Sequence, residues 1–125
     1  MEYNVAYPVI SVEVLTPDGK MFAVFIEDDE TGECIRVQII IGKTGANIRA
    51  WSESLASMIN ELLSTGKSLA YIATQISGYY GDRSSFNNTR NVKSGPDGIV
   101  YAINRYLLDK NKIETPILDQ RWLYE

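Results

Sequence analysis

Histidine is absent from the sequence, and cysteine occurs once, as Cys34. The first absence removes Ser-His-Asp and Cys-His nucleophile systems from a chain acting by itself. Together the two remove a structural zinc site, which takes four Cys or His ligands. A lone cysteine also forbids an intrachain disulfide, which is compatible with a reducing cytoplasm. Long hydrophobic runs are missing as well. The longest aliphatic run is Ile39-Ile40-Ile41, far too short to span a bilayer. No basic stretch opens the chain at Met1-Glu2-Tyr3-Asn4, so the expectation is a soluble protein of the cytoplasm with no membrane partner. Positive charge is not in surplus either. Twelve Lys and Arg against 16 Asp and Glu leave a net charge of −4, which argues against a general nucleic-acid coat and a DNA partner.

What is present is a chain of 125 residues, 45% apolar, with eight Tyr, three Phe and two Trp. That is enough to bury a core without disulfide or metal staples, and it predicts one domain over 1–125. Three strands are predicted at Val9–Leu15, Met21–Ile26 and Ile35–Ile41, all rich in β-branched and aromatic residues. They are joined by the turn sequences Thr16-Pro17-Asp18-Gly19 and Asp28-Asp29-Glu30-Thr31-Gly32-Glu33, short enough to make the pairing antiparallel. Alternation assigns Ile10, Val12 and Val14, then Phe22, Val24 and Ile26, then Ile35, Val37, Ile39 and Ile41 to the core face. The opposite face, with Cys34, Arg36, Gln38 and Ile40 among its residues, is too mixed for plain solvent, and a partner subunit fits there.

Past Ile41 the period changes. Trp51, Leu55, Met58, Ile59, Leu62 and Leu63 predict a first helix stopped at Gly66. Ser68 caps a second, of about three turns, with a stripe of Leu69, Ile72, Ala73 and Ile76. A third opens near Pro96 or Asp97 and turns Ile99, Ala102, Ile103, Tyr106 and Leu107 inward. The fold class is thus α+β: a three- to four-stranded antiparallel sheet followed by two to three helices packed on one face. The tail 113–125 reads as extended, punctuated by Pro116 and anchored by Ile117, Trp122 and Leu123.

Between the second and third helices, residues 79–95 keep no period. This stretch holds Arg83, Arg90 and Lys93 against the single acid Asp82, a local surplus of two positive charges in an acidic chain. Tyr80 and Phe86, with Tyr79, offer planes on which a base can stack, and Asn87 and Asn91, with Asn88, offer amides for base edges or ribose hydroxyls. Guanidinium groups suit a pyrophosphate. The mixture fits a nucleotide-like ligand, with Arg105 on the third helix as a further contact; the plain alternative is a solvated loop. A second candidate anion site is the turn Lys43-Thr44-Gly45 with Asn47, which follows a strand and opens a helix. A Walker loop would need glycine where Val37 stands, so triphosphate hydrolysis is not supported. The plain alternative is a tight turn that requires glycine. The acidic turn 28–33 does not have calcium-loop spacing. Cys34 is given no role, and no catalytic residue, metal or cofactor is assigned.

Val37-Gln38-Ile39-Ile40-Ile41-Gly42-Lys43-Thr44-Gly45, then Glu53–Ile59, then Leu62-Leu63-Ser64-Thr65-Gly66, and later Ser94-Gly95-Pro96-Asp97-Gly98-Ile99 resemble the TSCPD domain found at the C-terminus of B12-dependent ribonucleotide reductases. The likeness spans roughly 20–108. That family is named for a Thr-Ser-Cys-Pro-Asp string, and here Gly95 stands where the Cys belongs. Ala46-Asn47 and Tyr79-Tyr80-Gly81 replace two further cysteine-bearing segments, so the family's thiol cluster is missing and the metal or redox role that the resemblance implies is put in doubt. In length and layout the chain is also similar to phage anti-defence proteins that counter the Thoeris system. That similarity implies a non-catalytic sponge in the host cytoplasm, a dimer or hexamer that sequesters a cyclic ADP-ribose isomer or a cyclic oligonucleotide. The alternative, from the first likeness, is an interaction or regulatory module without a small ligand.

Overall fold

A computed structural model describes residues 6–42, 45–87 and 90–114. Strands β1 (Val9–Thr16), β2 (Gly19–Glu27) and β3 (Cys34–Ile41) form an antiparallel sheet in the order β1-β2-β3. Helices α1 (Ala46–Ser64) and α2 (Leu69–Ile76) follow, then a two-stranded sheet of β4 (Ser85–Asn87) and β5 (Arg90–Val92), then helix α3 (Gly95–Asp109). The architecture is α+β. The segment 79–95 is therefore not an unbroken loop: its middle is a small hairpin.

The two turns of the sheet are built by side chains. Thr16 Oγ1 donates to Gly19 O at 2.8 Å and accepts from Asp18 N at 3.1 Å. Asp28 Oδ1 accepts from Glu30 N at 2.8 Å and Thr31 N at 3.0 Å, which closes the second turn. The first turn also sets the phase of the sheet. Val14 pairs with Met21, Val12 with Ala23 and Ile10 with Phe25, so even-numbered residues of β1 share a face with odd-numbered residues of β2. Met21, Ala23 and Phe25 are the ones fully buried. The assignment of Phe22, Val24 and Ile26 to the core is corrected by one residue, because a two-residue connection between Thr16 and Gly19 fixes the register and thereby the face.

Ile35 is a second correction. Ile26 pairs with Arg36 but Glu27 with Cys34, so Ile35 is the extra residue of a bulge. It is exposed, while Cys34 turns toward the core, which partly covers it.

α1 packs on β3 and α3 on β1 and β2, over the face of Val14, Met21, Ala23, Phe25 and Val37, while α2 packs against α3 and α1. α1 ends in a Schellman motif, with Gly66 at φ 91 and the N–H of Lys67 bonded to Leu62 O at 3.0 Å. The expected stripe of α1 holds except at Met58, which is exposed. α2 is shorter than expected, at eight residues, and buries Leu69, Ile72 and Ala73. α3 begins where the Pro-Asp signal placed it: Ser94 caps it by accepting from Asp97 N at 3.0 Å. It is buried around much of its circumference, including the polar Asn104 at 0% exposure. Gly98 allows the close approach of α3 to the sheet, since a Cβ there would lie 2.9 Å from Thr16 Cγ2.

Candidate functional site

The cationic segment separates into residues that hold the fold and residues that face outward. Arg90 donates from Nη2 to Asp97 Oδ1 at 2.8 Å, and the two side chains are 7% and 1% exposed. The other oxygen of Asp97 accepts from Lys93 N at 2.9 Å. This pair fastens β5 to the first turn of α3, so Arg90 is engaged by the scaffold and is not presented as a phosphate ligand. Asn87 is engaged likewise. Its Oδ1 accepts from Leu15 N and its Nδ2 donates to Leu15 O, both at 2.8 Å, a two-point clamp on the outer edge of β1. Sequence reasoning missed these roles because Leu15 is brought to Asn87 from 72 positions away, while Arg90 meets Asp97 across the β5–α3 junction, seven residues on, where no helix or strand period relates the two.

The remaining members diverge. Arg83 is 69% exposed and lies 3.8 Å from Asp18 Oδ1. Lys93 sits over the ring of Tyr80 at 5.3 Å. These two cations do meet, around a shallow cleft of about 320 Å³ that also carries Asp18, Trp51, Asp82 and Ser94. Phe86 is exposed on β4, and Asn91 lies half-buried opposite it on β5. Arg105 lies elsewhere, against Asp109 at 3.8 Å, in a groove of about 410 Å³ between β1 and α3 that it shares with Glu13, Tyr101 and Lys110. The expected single cradle of Tyr80, Arg83, Phe86, Asn87, Arg90, Asn91, Lys93 and Arg105 is therefore split within one chain. Of the second anion site, Lys43 and Thr44, like Asn88, lie outside the described residues; Gly45 is the exposed N-cap of α1 and Asn47 is exposed in its first turn.

Trp51 explains why glycine stands at position 95. Its Nε1 donates to Asp18 Oδ2 at 3.0 Å, and its ring lies where a side chain at position 95 would go: a Cβ on Gly95 would stand 2.2 Å from Cζ2. The indole and a side chain at position 95 cannot share that space.

A second group of titratable side chains lies at the other end of the sheet. Glu27, 3% exposed, accepts from the Tyr106 hydroxyl and lies 3.1 Å from Lys110 Nζ. Burial pushes its carboxyl pKa up, but the Tyr106 hydroxyl and the Lys110 ammonium outweigh burial and hold it below the ordinary value. Burial and the Glu27 carboxylate together push the Tyr106 phenol up. Burial likewise raises the Cys34 thiol to about 11, so it stays protonated at neutral pH. Among the described residues no group of three or more His, Cys, Asp or Glu is placed to hold a metal ion, and no helix is long and apolar enough to cross a membrane.

A further feature of the described residues is the sheet face turned away from the helices. Cross-strand rows there read Val9, Ile26, Arg36; then Ser11, Val24, Gln38; then Glu13, Phe22, Ile40; with Leu15 beside Lys20. Val9, Leu15 and Ile40 are exposed, Ile40 at 52%. At the edges of this face, β3 carries a clamp of its own: Asn60 Oδ1 accepts from Val37 N at 2.8 Å and its Nδ2 donates to Val37 O at 3.0 Å. The mixed character expected of the outer face is present, and β2 contributes Phe22, Val24 and Ile26 to it.

In comparisons with known proteins, the family model described as TSCPD domain matches residues 7–107, from just before β1 to near the end of α3. No curated protein and no solved structure matches the chain.

Proposed function

We propose, since the chain belongs to the TSCPD domain family, that it is a non-catalytic interaction or regulatory module docking through the open face of its three-stranded sheet. One observation carries this reading. Apolar side chains of all three strands (Val9 and Leu15, Phe22 and Ile26, Ile40) lie on a face that, among the described residues, no helix covers, ringed by Glu13, Lys20, Arg36 and Gln38. An apolar centre with a polar rim is the anatomy of a protein-binding surface. The partner is protein, and a second copy of this chain is the first to test. Size-exclusion chromatography with light scattering is expected to give a mass at a multiple of the 14.0 kDa chain. A monomer at all concentrations that also leaves no mark on a mixed partner preparation would remove the reading.

A second reading is favoured by the cleft of Arg83 and Lys93 beside Trp51. It is capture, without turnover, of a phosphorylated cyclic nucleotide such as a cyclic ADP-ribose isomer, as in an anti-defence sponge that acts as an oligomer in the cytoplasm. It ranks second because Asp18 and Asp82 line the same cleft and Arg90 and Asn87 are held by the scaffold. A ligand that binds only the folded chain raises its melting temperature. A nucleotide panel that shifts the melt, followed by heat release of intact ligand, supports capture. Released product in place of ligand would mean an enzyme, and an unshifted melt supports the docking module alone.

A further inference from the structure

We propose that the free edge of β1, from Val9 to Glu13, takes up an extended segment of a partner protein as an additional antiparallel strand, laid along the groove between β1 and α3. The occupant alternates apolar and polar residues and carries net positive charge. It meets the rim of the sheet and not its open face, so this inference and the docking reading stand or fall independently.

Backbone geometry names the occupant. Glu27 N donates to Pro8 O at 2.9 Å, whereas Leu15 N and O both bond to Asn87. Even-numbered residues of β1 therefore turn their backbone groups toward β2, and odd-numbered ones turn theirs outward. Among the described residues, no hydrogen bond reaches the outward N–H and C=O groups of Val9, Ser11 and Glu13, and all three residues are exposed. Donors and acceptors that recur in line at every second residue are the complement of an extended backbone, which is the basis of strand addition. The two edges of the sheet differ in this respect. On β3 the Asn60 clamp grips Val37 in the middle of the strand and breaks the row. On β1 the Asn87 clamp grips Leu15 near the end, leaves the row before it open and fixes where an added strand stops.

The groove supplies the side-chain contacts. Its volume is about 410 Å³, and it runs along Ile10 and Val12 with Tyr101 and Arg105 of α3 opposite. Ile10 and Val12 lie at the fringe of the core and are half-buried. An added strand that turns every second residue toward α3 covers them with apolar side chains, while its intervening polar residues lie beside Ser11 and Glu13. Charge selects a foreign segment over a second copy. The charged groups around the groove are paired, Glu13 with Lys20, Arg105 with Asp109 and Lys110 with Glu27. What remains is the field of the net charge of −4, which repels a second copy and attracts a cationic peptide.

Backbone recognition tolerates sequence, so the probe is an end-blocked peptide, Lys-Thr-Val-Thr-Val-Thr-Lys, titrated into the isotope-labelled full chain and followed by NMR. Residues directly opposite across an antiparallel pair share a face, so with Val toward α3 the Thr amides face β1 and the Val amides face solvent. Saturable shifts at the amides of Val9, Ser11 and Glu13 are expected, retained when the peptide is N-methylated at Val and weakened about tenfold when it is N-methylated at Thr. Ser11→Pro removes an outward N–H and no bond of the ladder, and is expected to weaken binding about fivefold at an unchanged melting temperature. No saturable shift at millimolar peptide overturns the proposal, as does an equal effect of the two methylations. Shifts centred on Phe22 and Ile40 also overturn it, by moving the peptide to the open face. So do shifts at Ser11 and Glu13 that grow with the concentration of the chain alone, which would put a second copy on the edge. Should Ser11→Pro lose its melting transition, the two methylated peptides decide by themselves.

Discussion

Arg90, 7% exposed and 2.8 Å from a carboxylate that is 1% exposed, has exchanged its hydration for Asp97. Truncating one partner of such a pair leaves a buried charge without compensation. Arg90→Ala is expected to destabilise the domain by about 3–5 kcal/mol in urea unfolding, and Asp97→Asn to cost less because a polar acceptor remains. If Arg90→Ala unfolded at the parent midpoint, the pair would be a surface ornament and the guanidinium would be available for ligands. Glu27 gives the pH dependence. Its folded pKa lies below the ordinary 4.5, so the unfolded chain takes up the proton first as pH falls. The stabilisation is present above 4.5 and is lost as pH drops through the lowered folded value. Urea midpoints measured from pH 7 down to 3 are expected to fall at the acid end, with a shallower fall in Glu27→Gln. The same cluster acts with opposite sign at high pH: the Tyr106 phenol, raised above its ordinary 10, favours the fold below 10 and ceases to do so as pH rises beyond it. At this scale the sequence named the right residue types and the wrong partners. Arg90, Asn87 and Asn104 are polar residues in a polar stretch or on a helix, and nothing local distinguishes a solvated amide from one that clamps a strand 72 positions away.

Elements divide according to how local their causes are. The hairpins of the main sheet, the stop at Gly66 and the cap at Ser68 follow from turn and cap chemistry within a few residues, and the structure has each where that chemistry put it. The phase of β2 was not legible, because Met21–Ile26 is apolar at both parities and alternation gives no sign. β4 and β5, with three residues each, are too short for any period to register. Both edges of the main sheet are met by an asparagine gripping one backbone residue, Leu15 on β1 and Val37 on β3. The clamp satisfies outward amide groups that would otherwise template pairing with another chain. Asn60→Ala is expected to lower stability by roughly 1–3 kcal/mol for its two hydrogen bonds and to increase self-association of the β3 edge. Chemical denaturation checks the first effect and light scattering at rising concentration the second. A variant that aggregated no more than the parent would show that the clamp has no protective role.

For the molecule as a whole, an uncovered sheet face and a covered one have different consequences for charge. Phe22→Asp with Ile40→Asp puts two carboxylates on the open face and none in the core. The expected result is a solution mass of a single chain with a melting temperature within a few degrees of the parent. A collapse of the melt would mean that this face is internal support and not a docking surface. The cleft with Arg83 and Lys93 makes a weaker claim, since exposed ion pairs such as Arg83 with Asp18 contribute little on their own.

Sequence by itself determined the α+β class, the antiparallel pairing of the first three strands, the three helices and their inward residues apart from Met58, and the family to which the chain belongs. Those depend on period, propensity and turn residues, which act over one or two turns of chain. Tertiary structure alone decided which face of β2 is buried, that Cys34 and Ile35 exchange places at a bulge, that Trp51 fills the space above Gly95, and that Arg90 and Asn87 serve the scaffold. The reason is desolvation: whether a polar group faces water or a single partner is fixed by neighbours brought from far along the chain, and no local pattern encodes that choice.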